Sequence, residues 1–348
     1  MSHSPPTRQD APTVAAPQPP SRPSPGQRLG GVGRLILVER PLLLAIGIAF
    51  VLAYYGQYVG YFTVGNLSEQ LTLNLEIGLL ALGQLVVIIS GRGAIDLSAG
   101  AMVSMCSMVL GFTAGLWGWP FWLAVLATLA AGWLLGALNG YLAAYVGYPA
   151  IIVTLATWYV WKSLALYVND TTPISAELPT QVDWLAGTVG GVRLSLLVVW
   201  LPVIVLTWVL LNRTLYGRRL YGVGTNDIAA RFARLQVART RFHAFAFSGL
   251  MAGLAAVTVT SYYHSARADA GDPMVLRAIT IAVLGGVLIS GGAGRVSGVV
   301  LATLLVAFLN GGLTLLGVES QYQLAALGLL LVASALLNVW SARKFGIR

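Results

Sequence analysis

The chain has 348 residues, of which 57% are hydrophobic and only 9% charged, against roughly a quarter charged in soluble globular domains. That balance excludes a water-soluble protein, and since a bilayer crossing takes about 20 apolar residues, it supplies material for about ten helices. The net charge of +9 raises the question of nucleic acid, and the lone Cys106, set in an apolar run, excludes a disulfide framework, a cysteine zinc site and a redox pair.

Residues 1–33 hold eight of the fifteen prolines and few large apolar side chains. They are expected to form a disordered, Pro-rich cytoplasmic tail, and not a signal peptide, because the apolar run begins only at Pro41. Residues 34–348 are expected to form one transmembrane domain, with spans near 42–62, 70–90, 98–117, 121–146, 150–168, 194–211, 242–264, 276–290, 296–316 and 320–340. The fold class is therefore an all-α polytopic membrane protein. With a cytoplasmic N-terminus, ten spans return the C-terminus to the cytoplasm, and the inside segments then carry 17 of the 21 Lys and Arg. Only Arg193, Arg267 and Arg277 fall outside, and Lys162 lies within a span. The asymmetry obeys the positive-inside rule, so the basic charge reports topology and not a nucleic-acid partner. Pro41, Pro120 and Pro149 precede spans, where a missing N–H is harmless, whereas Pro202 lies inside the sixth and is expected to kink it.

Two polar segments are long enough to have jobs. The external loop 169–193 carries Asp170, Glu177 and Asp183 against Arg193 alone, and suits either a solvated connector or a docking surface. The cytoplasmic segment 212–241 reads GRRLYGVGTNDIAA from Gly217, continuing through Arg231, Phe232, Ala233, Arg234, Arg239 and Arg241. Asn226 or Thr225 can cap a short helix there, with Ala229, Ala230 and Ala233 as a small-residue face and the arginines snorkelling or facing water. Such a helix is a membrane-surface element or a docking site for a cytoplasmic subunit.

Ionisable groups in or near the spans are few: Glu76, Asp96, Lys162, His243, His264 and Arg277. They form no central relay of the kind an ion-coupled carrier needs. Uncharged polar groups at depth, Gln84, Asn139, Thr154, Thr157 and Asn310, suit either interhelical hydrogen bonds or the path of a polyhydroxylated solute. Glycines four apart, as in Gly136 with Gly140 and Gly249 with Gly253, favour close helix packing. The clusters GRGAIDLSAG from Gly91 and LGGVLISGGAGRVSG from Leu284 predict broken helices beside a pathway or gate. Leu138-Asn139-Gly140 recurs as Leu309-Asn310-Gly311, an offset of 171 that fits two inverted five-helix halves, while Ile89-Ser90-Gly91 recurs at an offset of 200. No phosphate-binding loop, dinucleotide fingerprint, HExxH or GxSxG motif is present, so nucleotide hydrolysis and familiar hydrolase chemistry are not expected.

The run GRGAIDLSAG resembles the glycine-rich IDLS motif of the ribose, xylose and arabinose group of bacterial ABC importer permeases. ALNGYLAAYVGYPAIIVTLAT from Ala137, the segment GRRLYGVGTNDIAA, and LGGVLISGGAGRVSG with LNGGLTLLGV from Leu309 resemble that family's further blocks, in order, over most of residues 40–340. The resemblance implies a permease for a neutral, pentose-like monosaccharide or related polyol, working by alternating access in the bacterial inner membrane without catalytic residues or metal. It implies a second permease subunit, identical or related, a cytoplasmic ABC ATPase that binds the ATP and magnesium, and a periplasmic sugar-binding protein, all in contact with membrane lipid. Carried over by motif, Gly217, Arg218, Gly224, Asn226, Ala229 and Ala230 would form the ATPase-coupling surface. Gln84, Asp96, Ser98, Asn139, Thr154 and Asn310 would be substrate-pathway candidates, with Gly100 shaping the loop into span 3. The chain departs from the pattern at Arg277, where relatives usually carry an acidic residue, and at Leu327 and Gly328, where they usually carry Lys-Gly; both changes bear on the solute. The alternative is an ion-coupled secondary carrier for a polar solute.

Overall fold

The computed structural model describes residues 40–58, 61, 63–272, 274–330 and 332. The expected tail 1–33 and the last part of the expected tenth span, 333–340, lie outside the described residues. In chain order the helices are α1 (Arg40–Tyr55), α2 (Val64–Thr72), α3 (Leu75–Ile89), α4 (Ala99–Leu110), α5 (Phe121–Tyr141), α6 (Ala150–Tyr167), α7 (Leu201–Arg213), α8 (Leu215–Thr225), α9 (Asp227–Phe232), α10 (Val237–Tyr263), α11 (Met274–Leu284) and α12 (Val296–Leu315). Residues 320–330 are also helical. Six helices among the described residues are long and apolar enough to cross a membrane, or seven if the bent pair α2 and α3 is one span.

Every residue of α3 is buried. Apolar all round, it has no polar face to turn outward, so it becomes the axis of the bundle, with α10, α11 and α12 packed around it. The continuous span expected at 70–90 is instead bent by 50° between α2 and α3. Leu73 closes α2 and Asn74, with φ −118° and ψ 6°, begins α3. Helices α5 and α10 touch backbone to backbone. A Cβ on Gly136 would sit 2.3 Å from the Phe245 carbonyl oxygen, and one on Gly249 would sit 2.1 Å from that of Gly132. The glycine spacing in the sequence thus marks a real seam. Pro202 follows a wide turn over Leu196–Trp200, which takes up the missing bond and the ring's pressure on the carbonyl of Val198.

One element departs from the sequence expectation. The stretch after α10, expected as an external loop, folds back into the bundle along α4. Ala266 lies against Gly111, the Arg267 N–H donates to Ser107 Oγ at 3.0 Å, and the Gly271 N–H donates to Ser104 Oγ at 3.1 Å. Gly271 then meets Gly100 backbone to backbone. From Gly111 to Gly100 is a descent of about 16 Å along α4. The span expected at 276–290 is instead the 11-residue α11, preceded by this re-entrant strand. Ser104 and Ser107 satisfy backbone donors that bare lipid would leave unpaired.

The bundle has two distinct ends. One carries α8 and α9. The other is covered by residues 168–195, which are docked rather than loose: Ile174 bridges Ala266, Asp183 meets His264 at 2.6 Å, and Val182 is fully buried.

Candidate functional site

At the α9 end three glycine-bearing segments from distant parts of the chain converge. Gly91, at φ +87°, and Gly291 and Gly292, at φ +96° and +75°, are in the left-handed region where L side chains are strained. The Gly292 N–H donates to the Ile89 carbonyl at 3.0 Å. A Cβ on Gly224, near the end of α8, would stand 1.8 Å from that same carbonyl oxygen and 2.6 Å from the Gly292 nitrogen. Only bare backbone fits where these segments cross. Tyr221 on α8 ties the third segment in, its hydroxyl donating to the Gly294 carbonyl at 2.8 Å. Burial raises that phenol's pKa, against the pull of the Arg295 charge, so it remains a neutral donor.

Helix α9 begins where Asn226 Oδ1 accepts from the N–H groups of Ile228 and Ala229 at 3.1 and 3.0 Å, a side-chain cap that starts so short a helix. Its first residue, Asp227, holds Arg92 at 2.7 Å and stands 3.7 Å from Arg241. Arg241 is buried, and its Nε donates to the Ser90 carbonyl at 3.2 Å. The expectation that the arginines of this segment face water therefore fails at Arg241, which locks α9 to the loop after α3. Ala230 is also buried, against Val223 and Val237. Ala229, Ile228 and Phe232 are exposed, the last two at 64% and 86%. The outward face of α9 is thus an apolar i, i+4 pair, which nothing among the described residues covers.

The other predicted coupling residues divide the same way. Arg218 is exposed on α8, while Gly217 is packed so tightly on the end of α7 that a Cβ would meet the Leu211 carbonyl oxygen at 2.1 Å. Gly217, Gly224 and Ala230 are internal packing positions, and Arg218 and Ala229 remain on the surface. Sequence reasoning missed Asp227, Arg92 and Arg241 as one cluster, and Ile228 with Phe232 as the exposed face. The available signal was two large apolar residues four apart in an otherwise polar segment.

Five of the six pathway candidates come together in a single buried network. Gln84 brackets the Asp96 backbone, donating to its carbonyl at 2.5 Å and accepting from its N–H at 3.2 Å. The Asp96 carboxylate accepts from the Ser98 N–H at 3.0 Å, from Ser98 Oγ at 2.6 Å and from Ser248 Oγ at 2.8 Å. Asn139 Nδ2 donates to Ser98 Oγ at 2.7 Å, and Thr154 Oγ1 to the Ile95 carbonyl at 3.2 Å. Gln84, Asp96, Ser98, Asn139 and Thr154 all have 0% exposure. They clamp the loop between α3 and α4 against α5, α6 and α10, and all five are closed to solvent in this structure. Asn310 stands apart and half-buried, its Nδ2 3.4 Å from Asn74 Oδ1.

A family model described as "Branched-chain amino acid transport system / permease component" matches residues 66–335. The chain belongs to this permease family. Among its relatives, the autoinducer 2 import system permease protein LsrD of Klebsiella pneumoniae is 35% identical over 83% of this chain and 88% of its own. The LsrD proteins of Yersinia enterocolitica and Photorhabdus laumondii are 37% and 34% identical, over 79% and 74% of this chain and 86% and 78% of theirs. No solved structure matches. The resemblance drawn from the sequence motifs is borne out: this is a permease subunit of an ABC importer, a transport subunit and not an enzyme. The ion-coupled carrier is thereby set aside. Membership implies membrane residence and partnership with an ATPase and a solute-binding protein.

Proposed function

We propose that this permease moves a neutral, polyhydroxylated, sugar-like solute inward across the inner membrane, driven by a cytoplasmic ATPase that docks on α9. The observation that carries the reading is the α9 end itself. An exposed apolar helix is fastened by Asp227 to the loop after α3, and through α8 to the loop before α12, so a push on α9 reaches both broken segments. The α9 end is then cytoplasmic, both termini lie inside, and loop 168–195 faces the binding protein. Autoinducer 2, named in the relatives, is the first solute to test, and a pentose the second.

The ten-span, two-half arrangement belongs to the same reading. Gly100 and Gly271 stand 171 positions apart, the offset of the Leu-Asn-Gly repeat, and they touch each other. Gly100 also meets Val275, and Gly271 bonds Ser104, which is again a pair 171 apart. Such reciprocal contacts are what a pseudo-two-fold axis produces, and they favour the offset of 171 over that of 200.

The test is to purify the full chain from its native membrane in mild detergent, identify what accompanies it and assay ATP hydrolysis. Co-purification of an ATPase, stimulated by a sugar-loaded binding protein, is the expected result. A chain that comes alone after cross-linking would refute the docking assignment.

A further inference from the structure

Opposite the α9 end, a cavity of about 430 Å³ lies between the start of α3, the end of α10, the re-entrant strand and the start of α11. Its size is in the range of small-molecule sites. Its floor is deep. Met274 follows the strand that reaches Gly100, which is about 24 Å along the α4 helix from its outer limit at Leu116. A cavity that ends on the first turn of a discontinuous helix at such depth is where solutes bind in transport proteins built from broken helices.

Of the five charges that line it, three are already paired within the described residues, Asp272 with Lys162 from beyond the lining. Arg267 holds Asp269 through two bonds of 2.9 and 2.7 Å, and Asp272 holds Lys162 at 2.7 and 2.8 Å. Two are left. Glu76 on α3 is only 5% exposed, and no other described side chain bonds its carboxylate. Arg277 on α11 has a buried Nε with no partner. They face one cavity with opposite charges and yet do not form an ion pair with each other. Apart from the bond of the Glu76 carboxylate to its own backbone N–H, the two groups keep hydrogen-bonding capacity free toward the cavity, and a buried charge left short of partners is costly unless a bound group supplies them.

We infer that Glu76 and Arg277 are the two poles of a solute subsite, which takes a neutral polyhydroxylated ring with hydroxyls donating to the Glu76 carboxylate and accepting from the Arg277 guanidinium. A neutral solute leaves the site's net charge unchanged, whereas an anion would meet Glu76 and a cation Arg277. Tyr263, 58% exposed at the rim, offers a ring face to the apolar side of a sugar, and Ser265 adds a further hydroxyl. Donors and acceptors are thereby spread around the cavity and not confined to two points, which favours a polyol over a zwitterionic amino acid. This inference rests on the solute class proposed above.

The test uses the complete importer, with its ATPase and binding protein, in proteoliposomes, with radiolabelled autoinducer 2, D-ribose, D-xylose, L-arabinose and L-leucine as probes. Glu76→Gln and Arg277→Gln should each lower uptake of the transported solute at limiting concentration by roughly tenfold or more, as expected for one lost charge-assisted contact. Arg277→Lys should recover part of that loss, and the apparent KM should move more than the maximal rate. The amount of ATPase recovered with the chain reports assembly. Should Glu76→Gln fail to assemble, the less buried Arg277 decides the matter alone. If the parent moves a sugar or autoinducer 2 and both Gln variants match it within twofold, the subsite is wrong while the function stands. If the parent moves leucine, or nothing in the panel, the solute class falls and the subsite with it.

Discussion

Asp227→Asn is the perturbation that most directly probes how α9 speaks to the membrane helices. The Arg92 bridge is short, at 2.7 Å, but the Arg92 side chain is 60% exposed, so its share is at most about 1 kcal/mol. Arg241 is different, since its side chain is only 9% exposed and Asp227 is the one carboxylate beside it among the described residues. Removing one partner of a fully buried pair costs about 3–5 kcal/mol. Here the separation is 3.7 Å and Arg241 keeps its bond to the Ser90 carbonyl, so a total of about 1–3 kcal/mol is expected. Applied to the position of α9 relative to the loop after α3, a value in the lower half of that range, about 1.4 kcal/mol, shifts a two-state equilibrium by roughly tenfold. The assay is ATP-driven uptake into proteoliposomes, alongside ATPase recovery on the purified chain. Uptake should fall about tenfold while ATPase recovery persists, because Ile228 and Phe232 are untouched, with the fold-change following from the energy above. Unchanged uptake, or loss of the ATPase, would refute the idea that Asp227 transmits and Phe232 docks.

Phe232→Glu should abolish ATPase co-purification while leaving the chain folded, whereas Ala230→Glu should lower the yield of folded chain, because Ala230 is packed against Val223 and Val237; detergent gel filtration separates the two outcomes. Gly224→Ala places a methyl 1.8 Å from the Ile89 carbonyl oxygen, and should depress uptake even where the chain is recovered in normal amount. Ser98→Ala removes a donor to Asp96 and an acceptor for Asn139 in a sealed site, and should cost about 1–3 kcal/mol in thermal stability with no change in the order of preferred solutes. A changed solute preference in that variant would return the network to the pathway.

Much of this was legible in the sequence because a bilayer imposes strong rules. Apolar length located most of the long helices, and the glycines of α5 and α10 announced their seam. Asn226 announced its helix through the capping chemistry of its side chain. The re-entrant strand was hidden because residues 265–274 are short, mixed in polarity and carry Arg267 and Asp269, which in isolation read as a water-facing loop; those two side chains do stay half exposed and paired with each other, while the serines of α4 satisfy the backbone N–H groups of Arg267 and Gly271. The α2–α3 bend was hidden for a different reason, since Leu71, Leu73 and Leu75 carry the apolar pattern across it between polar neighbours. Gln84, Asp96, Ser98, Asn139 and Thr154 bond into one closed network, in which Asn139 Oδ1 is left without a partner among the described residues, and no single-residue reading distinguishes a polar group that awaits a solute from one already bonded.

The central claim is that an ATPase drives transport through this chain. The most direct measurement is uptake by the complete importer in sealed proteoliposomes, with ATP enclosed and ionophores added to collapse every ion gradient. Accumulation that requires enclosed ATP and survives the ionophores is the predicted result. Accumulation that proceeds without ATP and vanishes with the gradients would contradict it.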